Sequence, residues 1–228
     1  MEEWRTLLYP LGFLSAIAFG GRFIIQWLAS ERAQKTVVPR SFWLLSLAGN
    51  LLLALHSLIQ VQYHICLVQS CNAVISWRNL NLMRNKEAQV SFSTTLWLLA
   101  WTVMATALLF WGQDLLLGAR THWFRTPITP WQTQPTDNIS FYWHFLGTMA
   151  YLLFSSRFWL QWIISERTQQ SELPPSFWWL SLGGAFFSIV YFLHLGDWVN
   201  LIGPLVGLIP YIRNLMLQLR TRPSPRKT

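Results

Sequence analysis

Charge is what this sequence has least of. Only 11% of its 228 residues are Asp, Glu, Lys or Arg, against about 25% in an ordinary soluble domain. A chain so short of charge cannot cover a soluble surface of its size. Cysteine is almost missing as well. Cys66 and Cys71 are the only two, and at that spacing on a helix they point more than about a third of a turn apart, so no disulfide is expected between them. No histidine pair stands nearby at ligand spacing, so no metal site is expected either. HExxH, GxSxG, P-loop and glycine-rich dinucleotide signatures are all absent, which leaves no residue to name as catalytic and no cofactor to name. Glycine and proline are not in excess, and no low-complexity tract suggests disorder.

What remains is apolar. Hydrophobic residues make up 53% of the chain, with 15 tryptophans. They fall in runs at 7–28, 41–59, 61–83, 92–113, 141–164, 177–195 and 198–219, each near or above the roughly 20 residues that cross a bilayer as helix. The runs are apolar all round, whereas the helices of a large soluble protein carry polar stripes. An all-α integral membrane protein of seven transmembrane helices is expected. The third run is the least regular, because Gln69, Asn72, Ser76, Arg78 and Asn79 interrupt it. The opening Met-Glu-Glu-Trp-Arg lacks the basic region and cleavage site of a signal peptide, so the first helix is expected to stay attached.

Basic residues orient the chain. With the N-terminus outside, the inner loops and tail collect Arg32, Lys35, Arg40, Arg84, Lys86, Arg167, Arg220, Arg222, Arg226 and Lys227, leaving Arg5, Arg120 and Arg125 outside. The +8 net charge is then mainly a topology signal, with a cytoplasmic tail that meets anionic lipid rather than nucleic acid.

The chain also repeats itself. Arg22 recurs as Arg157, 135 positions on, and the same offset pairs Gln26 with Gln161, Trp27 with Trp162, Ser30 with Ser165 and Glu31 with Glu166. It continues through Pro39 and Pro174, Ser41-Phe42-Trp43 and Ser176-Phe177-Trp178, Ser46 and Ser181, Gly49 and Gly184, and ends on Arg78-Asn79-Leu80 against Arg213-Asn214-Leu215. A register held over that length marks a duplication. Each repeat holds three helices, and the unmatched run 92–113 between them restores parity, so the repeats are parallel in a 3+1+3 arrangement. The expected division is a first repeat over 1–90, a linker helix and outer loop over 91–138, and a second repeat with its basic tail over 139–228. The loop 118–138, with Pro127, Pro130 and Pro135, is expected to be extended.

Arg22, Gln26 and Ser30 share one helix face, as do Arg157, Gln161 and Ser165. An arginine within a span is costly unless it is paired, hydrated or near the interface. Three readings stay open: an inward-facing polar site, snorkelling to the headgroups, and a structural pairing inside each three-helix unit. Glu31, Glu166, Arg78, Asn79, Arg213 and Asn214 fall near the same inner surface. If those ends converge, the set suits a phosphate or phosphosugar, because guanidinium forks bind phosphate oxygens in pairs. In the third and seventh helices Gln69, Asn72, Ser76 and Asn79 oppose Pro204, Gly207, Tyr211 and Asn214. That contrast suits either an asymmetric cavity or a polar seam with small residues, and Pro204 and Pro210 are expected to break or kink the seventh helix. In the inner loops Pro39 and Pro174 end one helix, Ser41 and Ser176 are expected to cap the next, and the Phe-Trp pairs are expected in the interface belt.

The pattern Arg-Phe-x-x-Gln-Trp-x-x-Ser-Glu, then Pro-x-Ser-Phe-Trp, Ser-x-x-Gly and Arg-Asn-Leu resembles the lipid-A-disaccharide synthase N-terminal domain family, in both repeats. In some bacteria that family is fused to the glycosyltransferase that makes the lipid A disaccharide; no such catalytic domain is expected in this chain. The three-helix unit is also similar to PQ-loop and SWEET transporter units, though the Pro-Gln dipeptide is absent. The resemblance implies a bacterial inner-membrane protein that binds, and in a transporter would move, a phosphorylated lipid-linked sugar, polyprenyl-phosphate sugar or lipid A precursor. The alternative it implies is a non-catalytic membrane anchor for an envelope glycosyltransferase.

Overall fold

The computed structural model describes residues 3–117, 123, 140–195 and 198–220. The expected extended loop over 118–138 lies outside the described residues except for Trp123, and so does the basic tail from 221 onward. Among the described residues the regular elements are helices. The short α1 (Glu3–Leu8) passes through a 3-10 turn at Tyr9–Leu11 into α2 (Gly12–Ala33). Then follow α3 (Arg40–Ile59), α4 (Tyr63–Leu82), α5 (Phe92–Leu117), α6 (Phe141–Thr168), α7 (Pro175–Leu195) and α8 (Trp198–Arg220).

Seven long helices therefore stand where seven apolar runs were read. Among the described residues, five stretches are long and apolar enough to cross a membrane: Trp4–Ala33, Arg40–Ile59, Lys86–Leu116, Pro175–His194 and Leu201–Arg220. Neither α4 nor α6 is among the five. In α4 the amides and Arg78 lower the mean hydropathy, yet Asn72, Ser76, Arg78, Asn79 and Asn81 are all buried in protein. In α6, Arg157 and Gln161 do the same and are buried too.

The loops after α2 and α6 are built alike. The chain leaves α2 and α6 through Gln34 and Gln169, each in the left-handed region at φ 51° and 55°. It re-enters helix directly after a proline: the Phe42 and Phe177 amides donate to the Pro39 and Pro174 carbonyls, both at 3.0 Å. This corrects the expected serine caps. Ser41 and Ser176 already lie inside the first turn, because the fixed φ of proline suits the helix start itself. The Phe-Trp pairs are a second correction. Phe42, Trp43, Phe177 and Trp178 are fully buried, whereas an interface belt would leave them exposed. Pro204 and Pro210 do not break α8, which is one helix through both. Both cysteines are free and buried.

The chain groups into two compact units: Met1–Phe19 with Trp43–Asn138, and Gly20–Phe42 with Ile139–Thr228. In the first unit, Phe19 packs so closely on Gly49 that an added Cβ would sit 2.6 Å from its ring. An aromatic cluster of Tyr63, Phe110 and Trp123 is tied down by the Trp123 indole N–H donating to Asp114 at 2.7 Å. Arg5 donates to the Ile59 carbonyl. In the second unit, α7 packs against both α6 and α8, and the C-terminal part of α2 joins them.

Candidate functional site

The repeated glutamines hold the loops. The Gln26 amide donates to Ser30 Oγ at 2.9 Å and to the Val37 carbonyl at 3.2 Å, while Ser30 Oγ accepts from the Val37 N–H at 3.0 Å. One repeat on, Gln161 donates to Ser165 Oγ at 2.8 Å and to the Glu172 carbonyl at 3.0 Å, and Ser165 Oγ accepts from the Glu172 N–H at 3.4 Å. These four side chains are fully buried. The spacing of one helical turn between Gln and Ser lets the pair reach a single strand of returning loop. Trp27 and Trp162 likewise donate to Glu31 and Glu166 one turn away, at 3.1 and 2.9 Å.

Further bonds occupy most of the remaining expected site residues. Gln26 and Asn214 exchange amide hydrogen bonds at 2.7 and 2.9 Å, and Asn214 also donates to the Pro210 carbonyl at 2.8 Å. Arg213 forks onto Glu31 through two N–H groups, with both side chains 28% exposed. In the first unit, Arg78 donates to Asn81 at 2.8 Å and to the Val90 carbonyl at 2.7 Å, stapling the turn between α4 and α5. Asn79 donates back to the Ile75 carbonyl at 3.0 Å.

Arg22 and Arg157 are placed differently. Both are buried, at 3% and 6% exposed, so neither snorkels to the surface. Both belong to the second unit, where they face the same two rings. Phe158 lies 5.1 Å from the Arg22 guanidinium carbon and 5.0 Å from that of Arg157; Phe23 lies 4.8 and 5.8 Å from them. Phe42 adds a ring on the Arg22 side. Phe154, Phe177 and Tyr211 add rings on the Arg157 side at 4.4, 5.4 and 5.7 Å. Cations over desolvated aromatic faces gain about 2 kcal/mol each.

The hydrogen bonds of Arg157 go to neutral oxygens. It donates to Ser181 Oγ and to the Tyr211 hydroxyl, both at 3.1 Å. Ser181 spends its own proton on the Phe177 carbonyl at 2.6 Å, which turns its lone pairs toward the arginine. The Arg157 Nε–H is buried with no acceptor among the described residues, and the Trp178 indole N–H is in the same state. Trp178 packs on Tyr211 with centroids 6.2 Å apart. The box thus contains two guanidiniums, at least five rings and two buried donors in want of an acceptor. Tyr211 stood in the sequence only as one side of a possible cavity, and Phe23, Phe158, Phe177 and Trp178 were missed as candidate site residues. The signal was present, since the repeated motif reads Arg-Phe in both copies and Phe-Trp in both copies.

Comparison with known proteins agrees with the repeat. The model of the Lipid A Biosynthesis N-terminal domain family matches residues 11–81 and again 146–216. A lipid-A-disaccharide synthase of Chlamydia felis is 38% identical over 92% of this chain and 33% of its own length. Proteins of that name from Chlamydia abortus and Chlamydia trachomatis serovar D are 37% and 34% identical, over 92% and 93% of this chain and 33% and 34% of theirs. The chain spans about a third of the length of these curated relatives. No solved structure matches it.

Proposed function

The chain belongs to the Lipid A Biosynthesis N-terminal domain family and carries the domain twice, and we propose that it is a membrane component of lipid A assembly that binds an anionic glycolipid headgroup at its arginine box. The ligand class is a phosphorylated lipid-linked sugar: a lipid A precursor or a polyprenyl-phosphate sugar. Its setting is the bacterial inner membrane, as seven spans in a 3+1+3 layout with the N-terminus outside. The carrying observation is the buried Arg157 Nε–H, which has no acceptor among the described residues although a second arginine faces the same rings. Like charges held close in a desolvated space repel, and an unsatisfied charged donor costs more than the roughly 1–3 kcal/mol of a neutral one. A phosphate placed there answers both, and the Trp178 indole N–H supplies a third kind of donor. Movement of the same ligand across the bilayer belongs to this reading.

Native mass spectrometry of the protein purified in mild detergent, with its lipids extracted and identified, tests the proposal. A stoichiometric phosphoglycolipid or polyprenyl phosphate is expected, lost in the Arg22→Ala/Arg157→Ala double variant and weakened in Trp178→Phe. Bulk phospholipid alone, unchanged by these substitutions, refutes it.

A second reading rests on the length of the relatives, about three times that of this chain. In it the chain is a non-catalytic membrane anchor for an envelope glycosyltransferase. Co-purification of such an enzyme, indifferent to substitutions at Arg22 and Arg157, would select that reading.

A further inference from the structure

Helix α5 has no counterpart in the repeat, and it lies outside both stretches that the family model matches. Among its described residues Thr95, Leu99, Thr106 and Phe110 are buried, and their spacing puts them on one side of the helix. About half a revolution from them stand Trp97, Trp101, Met104, Leu108, Trp111 and Leu115, at 66%, 60%, 44%, 52%, 57% and 67% exposed. Their steps of four, three, four, three and four residues are those of the a and d positions of a heptad seam. A lipid surface imposes no such period, whereas a second helix does.

Spacing alone does not select a partner, since the flanking positions are apolar too. The depth of the tryptophans does. Because α5 spans Phe92–Leu117, its midpoint falls between Met104 and Ala105. At 1.5 Å per residue Trp101 lies about 5 Å from that midpoint, and Trp97 and Trp111 about 10–11 Å. All three are inside the roughly 15 Å half-thickness of the hydrocarbon core. Lipid-facing indoles settle at the headgroup level, where the N–H finds an acceptor; hydrocarbon offers none. No hydrogen bond among the described residues uses these three N–H groups. We propose that this face of α5 is the seam of a homodimer, packed on the same face of α5 in a second copy of the chain. Copies inserted alike in one bilayer present the row at one depth, so a two-fold axis along α5 sets Trp101 against Trp101 and Leu108 against Leu108. Each indole then meets a partner ring in place of lipid. The seam rests on α5 crossing the bilayer and not on the arginine box.

The full chain, purified and returned to lipid vesicles, tests it. In a Cys66→Ala/Cys71→Ala background, Leu115→Cys on the seam should cross-link to a dimer under mild oxidation. Leu109→Cys is the control: the leucine is 55% exposed but about 120° around the helix, and its variant should stay uncross-linked. Energy transfer between labelled copies, read as lipid is added, gives the dissociation constant. Trp97→Leu/Trp101→Leu keeps the face apolar and should weaken the dimer roughly tenfold, with the Tm of the dilute monomer unchanged. Equal cross-linking at both cysteines is random collision and overturns the seam. So does an absence of transfer at high protein-to-lipid ratio, when lipid or a different protein covers the face. Transfer untouched by the two substitutions places the contact elsewhere, and a double variant that fails to fold shows the tryptophans serving the monomer; either result refutes the proposal. An impermeant maleimide should reach Lys86→Cys and Leu116→Cys from opposite sides of sealed vesicles. Labelling from one side only sinks the crossing itself, and the seam with it, before any dimer is read.

Discussion

Gly207→Ala should be among the most damaging single-methyl changes in the chain. The Tyr211 ring lies back over Gly207, one turn toward the N-terminus, as helical aromatics do. A Cβ at 207 would stand 2.7 Å from both the Cζ and the hydroxyl oxygen of Tyr211. Ordinary carbon contacts fall near 3.5–4.0 Å, so the overlap is about 1 Å. The ring has nowhere to go: it is 2% exposed and packs edge-on to Phe23 at 5.1 Å and against Trp178. Overpacking costs about 1–3 kcal/mol. Displacing the hydroxyl also forfeits its bond from Arg157, about 1.5–3 kcal/mol for a charged donor. Against this stands a gain of about 1 kcal/mol in helix propensity from Gly to Ala. The net expectation is a loss of about 2–4 kcal/mol. Equilibrium unfolding in micelles, followed by tryptophan fluorescence, gives the value. In a Tyr211→Ala background the same methyl meets no ring, so the cost should vanish and the propensity gain should show. Equal cost in both backgrounds would refute the argument.

Two more outcomes follow from the same kind of contact. Ser165→Ala strips the loop N–H of Glu172 and the Gln161 amide of a shared partner and should destabilise by about 1–3 kcal/mol; hydrogen exchange should quicken at Glu172 while the amides of α8 keep their protection. Gly49→Ala and Gly184→Ala are the same change at matched positions, but the nearest ring atoms lie 2.6 Å away at Phe19 and 3.1 Å away at Phe154. Alanine at 49 should therefore lower Tm well below what alanine at 184 does, and a smaller drop at 49 would contradict the packing.

Element existence and the duplication were open to reading because they depend on run length and register, both written directly in the residue order. Facing was not. Trp97, Trp101 and Trp111 of α5 are 66%, 60% and 57% exposed, whereas Trp43 and Trp178 are fully buried. Hydrophobicity cannot tell these apart, since a helix that is apolar on every side carries no stripe to show which side meets protein. The Phe-Trp pairs were placed at the interface for that reason. The glutamines show the opposite difficulty. Their spacing from arginine suggested a ligand, but their hydrogen bonds close on loop backbone whose path no local pattern records. The arginines themselves were legible as expensive residues; the rings that shelter them were hidden in the apolar count.

The divergence between repeats can be tested as a unit. In the second repeat a tyrosine fits because the residue one turn before it has no side chain. In the first, Asn72 occupies that position and Ser76 leaves the room. Ser76→Tyr alone should then drive the new ring into Asn72, at about 1–3 kcal/mol for overpacking, and also strand the Asn50 amide that Ser76 now accepts. Asn72→Gly alone should cost about 1 kcal/mol in helix propensity and open a void. Together they recreate the Gly207–Tyr211 pairing, and the double variant should be more stable than the sum of the two costs by about 1–3 kcal/mol, the range for contacting residues. Adding Asn50→Ala removes the stranded amide and should recover more. Strict additivity would show instead that the glycine and the tyrosine changed independently. Coupling would show that one exchange of side-chain volume made the second repeat aromatic and left the first one polar.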